Sequence, residues 1–220
     1  MCGRFVANIP ADELKKIFNL IDPPQLDPRF NVAPTQVAAV VRNQGERNRL
    51  DVLKWGLVPS WSKDLIFGSH LINARSETVA EKPTFRHAIK YRRCIVPTSG
   101  FYEWDHTGGK KQPYYIQLAD RSPMCLAGLW ESWKAPDGSE LETFAIVTTT
   151  ANKLIDPIHD RMPVILYPDS FNLWLSHNMH DPEQLQPLYL PFPAEELTVH
   201  KVPDLVNNPR FDSPACIAQV

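Results

Sequence analysis

The stretch Val37-Ala-Ala-Val-Val-Arg-Asn-Gln-Gly45, followed by Leu50-Asp-Val-Leu-Lys-Trp55, decides the fold. Both arms are dominated by apolar residues, which is typical of strands, and Asn43-Gln-Gly45 between them has the composition of a tight turn. The pattern predicts an antiparallel hairpin with strands over residues 37–42 and 50–55. This hairpin begins a sheet.

Short apolar segments of the same kind recur along the chain, separated by glycine, proline and aspartate. Such spacing is typical of many short strands in a curved or barrel-like antiparallel sheet. The predicted strands cover residues 3–6, 94–96, 100–104, 114–118, 124–130, 144–149 and 198–202, with turns at Gly108-Gly109 and Pro136-Asp-Gly138. The predicted fold class is α+β, predominantly antiparallel β, with short flanking helices.

The segment 9–18 has the pattern of an amphipathic helix. Pro10 falls in its first turn, and Leu14, Ile17 and Phe18 share one face. Shorter helices are predicted over residues 76–82, 168–175 and 181–185, the first of them after a long loop from residue 55. We expect one domain over residues 2–220.

Composition narrows the class of protein. The formal net charge of -2 excludes a globally basic nucleic-acid-binding protein, so a polyanion would have to be held by a local cluster of arginine and lysine. The four cysteines form no C-x-x-C pair and no zinc-binding spacing, so neither a metal nor a disulfide framework is predicted. We find no leader and no apolar run of membrane-spanning length, and expect a cytoplasmic protein, associated with the nucleoid if it is bacterial.

Cys2 has the position of an unusual nucleophile. We expect Met1 to be removed, by an aminopeptidase or by self-cleavage, and the mature chain would then begin with an amine and a thiol on adjacent carbons. An aldehyde reacts with both groups: the amine forms an imine, and the thiol closes on it to form a five-membered thiazolidine. In the alternative interpretation, Cys2 simply follows the start codon.

Three further polar residues are candidates for catalysis: Asn73 in Leu-Ile-Asn-Ala-Arg, Glu103 in Gly-Phe-Tyr-Glu-Trp, and His159 in Asp-Pro-Ile-His-Asp-Arg. A buried Glu103 would have a raised pKa and could donate a proton, whereas an exposed one would be an ordinary strand residue. His159 lies in a rigid, charged loop that could tune its titration, although many histidines in such loops are structural.

Several motifs together resemble one family. They are Cys2-Gly-Arg-Phe5, Phe30-Asn-Val-Ala-Pro34, Trp55-Gly-Leu-Val-Pro59, Ile72-Asn-Ala-Arg-Ser-Glu77, Arg93-Cys-Ile-Val-Pro97 with Gly100-Phe-Tyr-Glu-Trp104, Phe144-Ala-Ile-Val-Thr148 and Ile158-His-Asp-Arg-Met-Pro163. In this order they resemble the SRAP family, the SOS-response-associated proteins that crosslink to abasic sites in single-stranded DNA.

The resemblance implies a catalytic set of Cys2, Asn73, Glu103 and His159. Cys2 would attack the ring-opened aldehyde of an abasic sugar and end as a stable thiazolidine. Asn73 would orient the Cys2 amine, Glu103 would donate a proton as the sugar opens and water leaves, and His159 would shuttle protons at the sugar hydroxyl and the imine. The same imine permits strand cleavage by elimination, and no cofactor or metal is required.

Residues beside the catalytic set could hold the DNA. Arg4, Arg75 and Arg161 each stand within two residues of a catalytic position and suit phosphate contacts, and Trp61 and Trp104 could stack on bases. Thr148 and Thr149 are further candidates for contacts to the DNA backbone. In the alternative interpretation the arginines pair with acids such as Glu77 and Asp160, and the tryptophans belong to the core.

Two other functions stay open at this point. The first is a cysteine peptidase, in which the free amino terminus of Cys2 serves as base for its own thiol. The second is a non-catalytic binder of single-stranded DNA in which Cys2 is incidental. The expected partner is single-stranded DNA that contains abasic sites, bound by a monomer.

Overall fold

The computed structural model describes residues 2–45, 47–105 and 111–220. Twelve strands lie in these ranges: β1 (Phe5–Ala7), β2 (Arg29–Val32), β3 (Val37–Gln44), β4 (Arg47–Trp55), β5 (Asn73–Arg75), β6 (Arg93–Thr98), β7 (Gly100–Asp105), β8 (Gln112–Leu118), β9 (Met124–Lys134), β10 (Glu140–Thr150), β11 (Arg161–Pro163) and β12 (Leu197–Lys201). The α-helices there are α1 (Ala11–Phe18), α2 (Ala88–Tyr91) and α3 (Phe171–Leu175).

The predicted hairpin is confirmed, and it forms part of a closed ring of strands. β3 pairs antiparallel with β4 from Val37 opposite Lys54 to Gln44 opposite Arg47, and Gly45 in the turn has a φ of 79°. The ring runs β10-β4-β3-β6-β9 and closes through the pairing of β9 with β10. Closure leaves these five strands without a free edge, which is the barrel-like sheet expected from the sequence.

Strand β10 continues past the residues that pair with β4, and its end pairs with two strands outside the ring. Beyond its contact with β4, its end pairs with β5, with Ile146 opposite Asn73. Its last residues pair with β11, with Thr150 opposite Arg161. The end of β10 therefore holds β5 on one edge and β11 on the other.

A second sheet has the order β12-β8-β7-β1-β2. β1 lies inside it and is paired on both edges, with Phe5 opposite Val32 of β2 and opposite Phe101 of β7. The N-terminal segment is therefore an interior strand of a sheet, and residues just before it have a defined position.

Two main groups of buried residues hold these layers together. One group packs the helices against the ring strands, with Leu14 and Phe18 of α1 among its members. The other joins the ring to the second sheet, where the ring centroids of Phe5 and Trp55 lie 5.0 Å apart. Cys2 belongs to this second group.

One predicted helix is wrong. Residues 76–82 form turns, and the helix lies later, at Ala88–Tyr91. Two causes are visible: the Ser76 amide still donates to the Thr148 carbonyl of β10, and Pro83 disfavours helical backbone at the residue before it. The predicted segment 181–185 is a 3₁₀ helix, Pro182–Tyr189, and 168–175 is a short 3₁₀ turn followed by α3.

The expected turn at Gly108-Gly109 lies outside the described residues. None of the helices in the described ranges has both the length and the apolar character needed to span a bilayer.

The close approach of β7 and β8 at Gly100 gives a test of this arrangement. A Cβ atom at Gly100 would lie 2.3 Å from the Ile116 carbonyl oxygen and 2.7 Å from the Tyr115 ring. We expect Gly100→Ala to lower the free energy of unfolding by about 1–3 kcal/mol, because backbone rather than a flexible side chain must move. Urea denaturation measures this, and an unchanged midpoint would show that the two strands are not in close contact.

Candidate active site

Strand pairing brings Cys2 and Glu103 to the same place. Because β1 and β7 run antiparallel from the Phe5–Phe101 pair, each residue earlier in β1 lies opposite one later in β7, and the Tyr102 amide donates to the Arg4 carbonyl. Glu103 is therefore next to the residues that lead into β1. The register of β7 on β1, and not the local sequence around Glu103, places Glu103 beside the N-terminal segment.

The other two candidate residues are positioned by strand β10 of the ring. Asn73 is the first residue of β5, and His159 lies two residues before β11, so the end of β10 positions both. Together the two sheets form a groove of about 430 Å³. Its lining residues are Gly3, Arg4, Glu103, Trp104, Lys111, His159 and Asn207.

Cys2 is next to the groove-lining Gly3 in the chain but is not itself among the residues that line the groove. Its side chain is fully buried, and its carbonyl oxygen accepts a hydrogen bond of 2.9 Å from Nδ2 of Asn73. Burial, reinforced by the negative charge of Glu103, raises the pKa of the Cys2 thiol above its ordinary value. The thiol is therefore protonated at neutral pH.

Asn73 has a second polar atom in the site. Its Oδ1 is buried and has no hydrogen-bond partner among the residues that the structure describes. A buried amide oxygen without a donor is costly, so it favours any N–H group that reaches it. Asn73 can thus hold the Cys2 carbonyl with its nitrogen and accept from a nearby amine with its oxygen.

Glu103 is 2% exposed, and burial raises its pKa to about 7. At neutral pH about half of the molecules therefore have a protonated carboxyl at this position. A carboxyl with this pKa can donate a proton and take it back, which is the property of a general acid and base.

His159 is held through its Nδ1 atom. That atom lies 3.0 Å from the amide nitrogen of Arg161, which donates to it, and 2.8 Å from a carboxylate oxygen of Asp160. A neutral ring accepts from the amide at Nδ1 and has its hydrogen on Nε2, whereas a charged ring donates from Nδ1 to Asp160. The loop accommodates both protonation states of the imidazole.

The residues predicted to hold DNA fall into three places. Arg4 and Trp104 line the groove, and the Arg4 guanidinium lies 5.8 Å from the centre of the Trp104 indole. Arg75 at the end of β5 is exposed, and so is Trp61, at 59%, next to Phe67.

Arg161, Thr148 and Thr149 are buried. Both Nη atoms of Arg161 contact the Glu77 carboxylate, at 2.5 and 2.9 Å, and Nη2 also donates to the Thr148 carbonyl. For Arg161 the structure therefore shows the ion pair that the alternative interpretation expects, and its role toward DNA stays a prediction.

Three residues of the site had no assigned role in the sequence. Lys111 and Asn207 line the groove, and a lone lysine or asparagine in a loop has no motif that would have identified it. Asn31 stood in the quoted motif Phe30-Asn-Val-Ala-Pro34, and this motif was the available sequence signal for it. Its structural role depends on contacts with a segment about 175 residues away in sequence.

Asn31 fastens the segment 206–211 to the groove. It is fully buried, and its Nδ2 lies within hydrogen-bonding distance of the carbonyls of Val206, Asn208 and Phe211. Its Oδ1 accepts from Arg4, whose Nη1 also donates to the Val206 carbonyl. In the same segment Asn207 accepts a 2.7 Å bond from the Trp104 indole. Asn31 thus holds Arg4 directly, and it holds Trp104 through the segment that contains Asn207.

Comparisons with known proteins agree on one family. A family model described as SOS response associated peptidase (SRAP) matches residues 1–209. The chain is 42% identical over 99% of both chains to a Bacillus subtilis protein named abasic site processing protein YoqW. It is 29% identical, over all of this chain and 78% of the relative, to abasic site processing protein HMCES of Xenopus tropicalis.

A solved structure has the same fold. The crystal structure of a protein from Bacteroides thetaiotaomicron superposes with a TM-score of 0.90 at 29% identity, and the match covers 100% of both chains. The closed ring and the second sheet are therefore found together in another chain of this length.

The Asn31 contacts lead to a prediction about stability. Asn31→Asp keeps an acceptor for Arg4 but replaces the donor with an oxygen that faces three carbonyls, so we expect the free energy of unfolding to fall by about 1–3 kcal/mol. Urea denaturation measures the loss. The exposed Asn172→Asp is the matched control and should change stability by less than about 0.5 kcal/mol. Equal effects of the two variants would contradict the role assigned to Asn31.

Proposed function

The chain belongs to the SOS response associated peptidase (SRAP) family, and from this premise we propose that it processes abasic sites in DNA by joining them covalently to Cys2. One observation carries the proposal: Glu103 and His159 line one groove together with Gly3, Arg4 and Lys111, and Cys2, next to Gly3 in the chain, accepts a hydrogen bond from Asn73 at its carbonyl. Relatives named abasic site processing proteins support it.

The first step is attack by the amine. Removal of Met1 turns the amide nitrogen of Cys2 into a primary amine, next to the carbonyl that Asn73 holds. The unused Oδ1 of Asn73 accepts from this amine and orients its lone pair. The nitrogen adds to C1′ of the ring-opened sugar, and Glu103 donates the proton with which the hydroxyl leaves as water, so that an imine results.

The second step closes the ring. The neutral Cys2 thiol adds across the C=N bond, with the sulfur bonded to C1′ and the proton transferred to nitrogen. Aldehyde and aminothiol thus give one thiazolidine and one water, with no oxidant, reductant or metal. A protonated thiol suits this order of events, because the amine must react first.

His159 acts on the sugar and the imine. Its Nδ1 is engaged by the Arg161 amide, so the neutral ring has its hydrogen on Nε2 and can exchange a proton with the sugar hydroxyl or the imine nitrogen. If the imine persists before the thiol closes, loss of a proton from the neighbouring sugar carbon leads to elimination of the 3′ phosphate. Strand cleavage is therefore the side reaction that ring closure suppresses.

Single-stranded DNA fits the charges and rings around the groove. We propose that Arg4 and Lys111 contact phosphates at the groove, with the exposed Arg75 and Trp61 reaching the strand on either side. Trp104 lines the groove beside the lesion, whereas Arg161, Thr148 and Thr149 are buried and are not among the residues that line the groove. No base edge is read, because the lesion has none.

Peptidase activity toward other proteins is less well supported. A cysteine peptidase lowers the pKa of its thiol to form a thiolate, whereas burial raises the pKa of Cys2 here. Self-removal of Met1 is a single event at the same site and is compatible with the crosslinking scheme.

The thiazolidine scheme predicts the effect of Cys2→Ala. An abasic single-stranded oligonucleotide should give a stable adduct with the unaltered protein, with the summed mass less one water, and none with Cys2→Ala, which keeps the amine but loses the sulfur. Intact mass spectrometry after heating measures it. Cys125→Ala, which removes another buried thiol, should crosslink normally.

Inserting alanine between Met1 and Cys2 should also abolish the stable adduct, because the thiol is then no longer beside a free amine. An adduct that survives heating in either the Cys2→Ala or the insertion variant would refute the mechanism.

The raised pKa of Glu103 predicts a pH profile. Imine formation needs a neutral amine, favoured above a pH of about 8, and a protonated Glu103, favoured below its pKa of about 7. The rate should therefore pass through a maximum between these values and fall at alkaline pH as Glu103 loses its proton. Borohydride trapping at timed intervals measures the rate.

In Glu103→Gln we expect a rate lower by about a hundredfold or more, without the alkaline fall, because no proton remains to be lost. Glu131→Gln, another buried glutamate, should keep the fall. If Glu103→Gln keeps the alkaline fall, Glu103 is not the acid.

A further inference from the structure

A hollow larger than the candidate active-site groove lies elsewhere in the described part of the chain. It has a volume of about 610 Å³ and shares no lining residue with the groove at Cys2. Its floor is apolar, formed by α1, β8, the segment that follows β11, and the start of α3. The apolar floor residues include Ile17, Leu118, Cys125, Ile165, Phe171 and Phe192.

This hollow continues into a second one of about 320 Å³. Ile165, Leu166, Tyr167 and Phe192 line both, and the Tyr167 and Phe192 rings stack between them with centroids 4.7 Å apart. At the far side of the second hollow Leu190 is 70% exposed. The two hollows form one elongated apolar groove, which we call the acidic groove because of its rim.

Every charged residue that lines the acidic groove is an acid. The rim carries Glu13, Asp120, Asp169, Glu195 and Glu196, and no lysine, arginine or histidine is among the described lining residues. The chain as a whole is close to neutral, so this concentration is local. A nucleic-acid strand is repelled from such a rim, which separates this groove from the one that contains Arg4 and Lys111.

The negative charge of the rim changes the pKa of one residue at the centre of the groove. Tyr167 donates a 2.6 Å hydrogen bond to Glu196. Burial, together with this bond and the charges of Glu196, Glu195 and Asp169, raises the pKa of Tyr167 to about 12. The carboxylates therefore act together on one point of the apolar floor.

We propose that the acidic groove binds an extended segment of a partner protein in which lysine or arginine alternates with large apolar side chains. The length of the groove, divided by the Tyr167–Phe192 stack, fits successive side chains of a chain better than one compact ligand. The apolar side chains fill the two hollows, and the cations meet the carboxylate rim. An exposed apolar groove of this size is typical of an interaction site.

Selection from random peptides tests the proposal, because it shows directly which side chains the groove prefers. A phage-displayed library of random 12-residue peptides is panned on the immobilised full-length chain, and bound phage are counter-selected against Ala119→Trp. Ala119 is exposed and lines the first hollow, so an indole there fills it without altering the core. We expect selected peptides enriched in lysine or arginine together with leucine, phenylalanine or tryptophan.

The best peptide is then synthesised with a fluorescent label and titrated. Glu13→Lys combined with Glu195→Lys should weaken its binding by about tenfold or more, because two rim carboxylates become cations. Asp12→Lys combined with Glu81→Lys makes the same change in net charge, again with one substitution in the first turn of α1, but neither residue lines the groove. This control should bind within about twofold of the parent, and added salt should weaken binding.

Three results would overturn the proposal. They are selected peptides without basic residues, equal loss of binding in the two charge variants, and a selection in which no peptide binds the parent but fails to bind Ala119→Trp. Dimerisation of the chain in sedimentation velocity that Ala119→Trp abolishes would identify a second copy as the occupant and overturn it as well. Ala119→Trp should leave the crosslinking of abasic oligonucleotide unchanged, so the outcome here is independent of the function proposed for Cys2.

Discussion

The candidate site depends on β1 being hydrogen-bonded on both of its edges. β2 and β7 flank it, and Phe5 packs on Trp55 of the ring, so the chain just before β1 cannot fray as a terminus normally does. The Asn73 side chain then fastens the Cys2 carbonyl from the other sheet. This pairing fixes the position of the chain next to Cys2, which the proposed crosslinking chemistry requires.

Burial raises the pKa of both Cys2 and Glu103, but with different consequences at neutral pH. For Glu103 it brings the pKa to about 7, so that the carboxyl can give and take a proton under ordinary conditions. For the Cys2 thiol it opposes ionisation. In the crosslinking scheme that we propose, this desolvation favours attack by nitrogen before attack by sulfur. A site built for thiolate attack would instead need a cation beside the sulfur.

Two grooves on the described surface differ in the charge of their walls. One has Arg4, Lys111 and His159 in its wall, and the other is lined by carboxylates around an apolar floor. If both proposals hold, a nucleic acid and a basic peptide bind to different faces of the chain, because each is repelled from the other's groove. The two proposals therefore concern separate residues and separate partners.

The sequence by itself predicted the strand-rich fold class, a hairpin over residues 37–42 and 50–55, and the four candidate catalytic residues, because turn chemistry, apolar patterning and family motifs are local. The strands of the hairpin are longer than predicted, at Val37–Gln44 and Arg47–Trp55. It could not place the helix after Pro83, since the attachment of Ser76 to β10 is a tertiary contact. Only the tertiary structure decided that Asn31 anchors residues 206–211, that Arg161 is paired with Glu77, and that five acids surround one apolar groove. Each of these is a contact between segments distant in the chain. Two physical causes act here: a buried polar group needs a partner, and charges that are close in space add up. Neither cause produces a periodic pattern in the sequence.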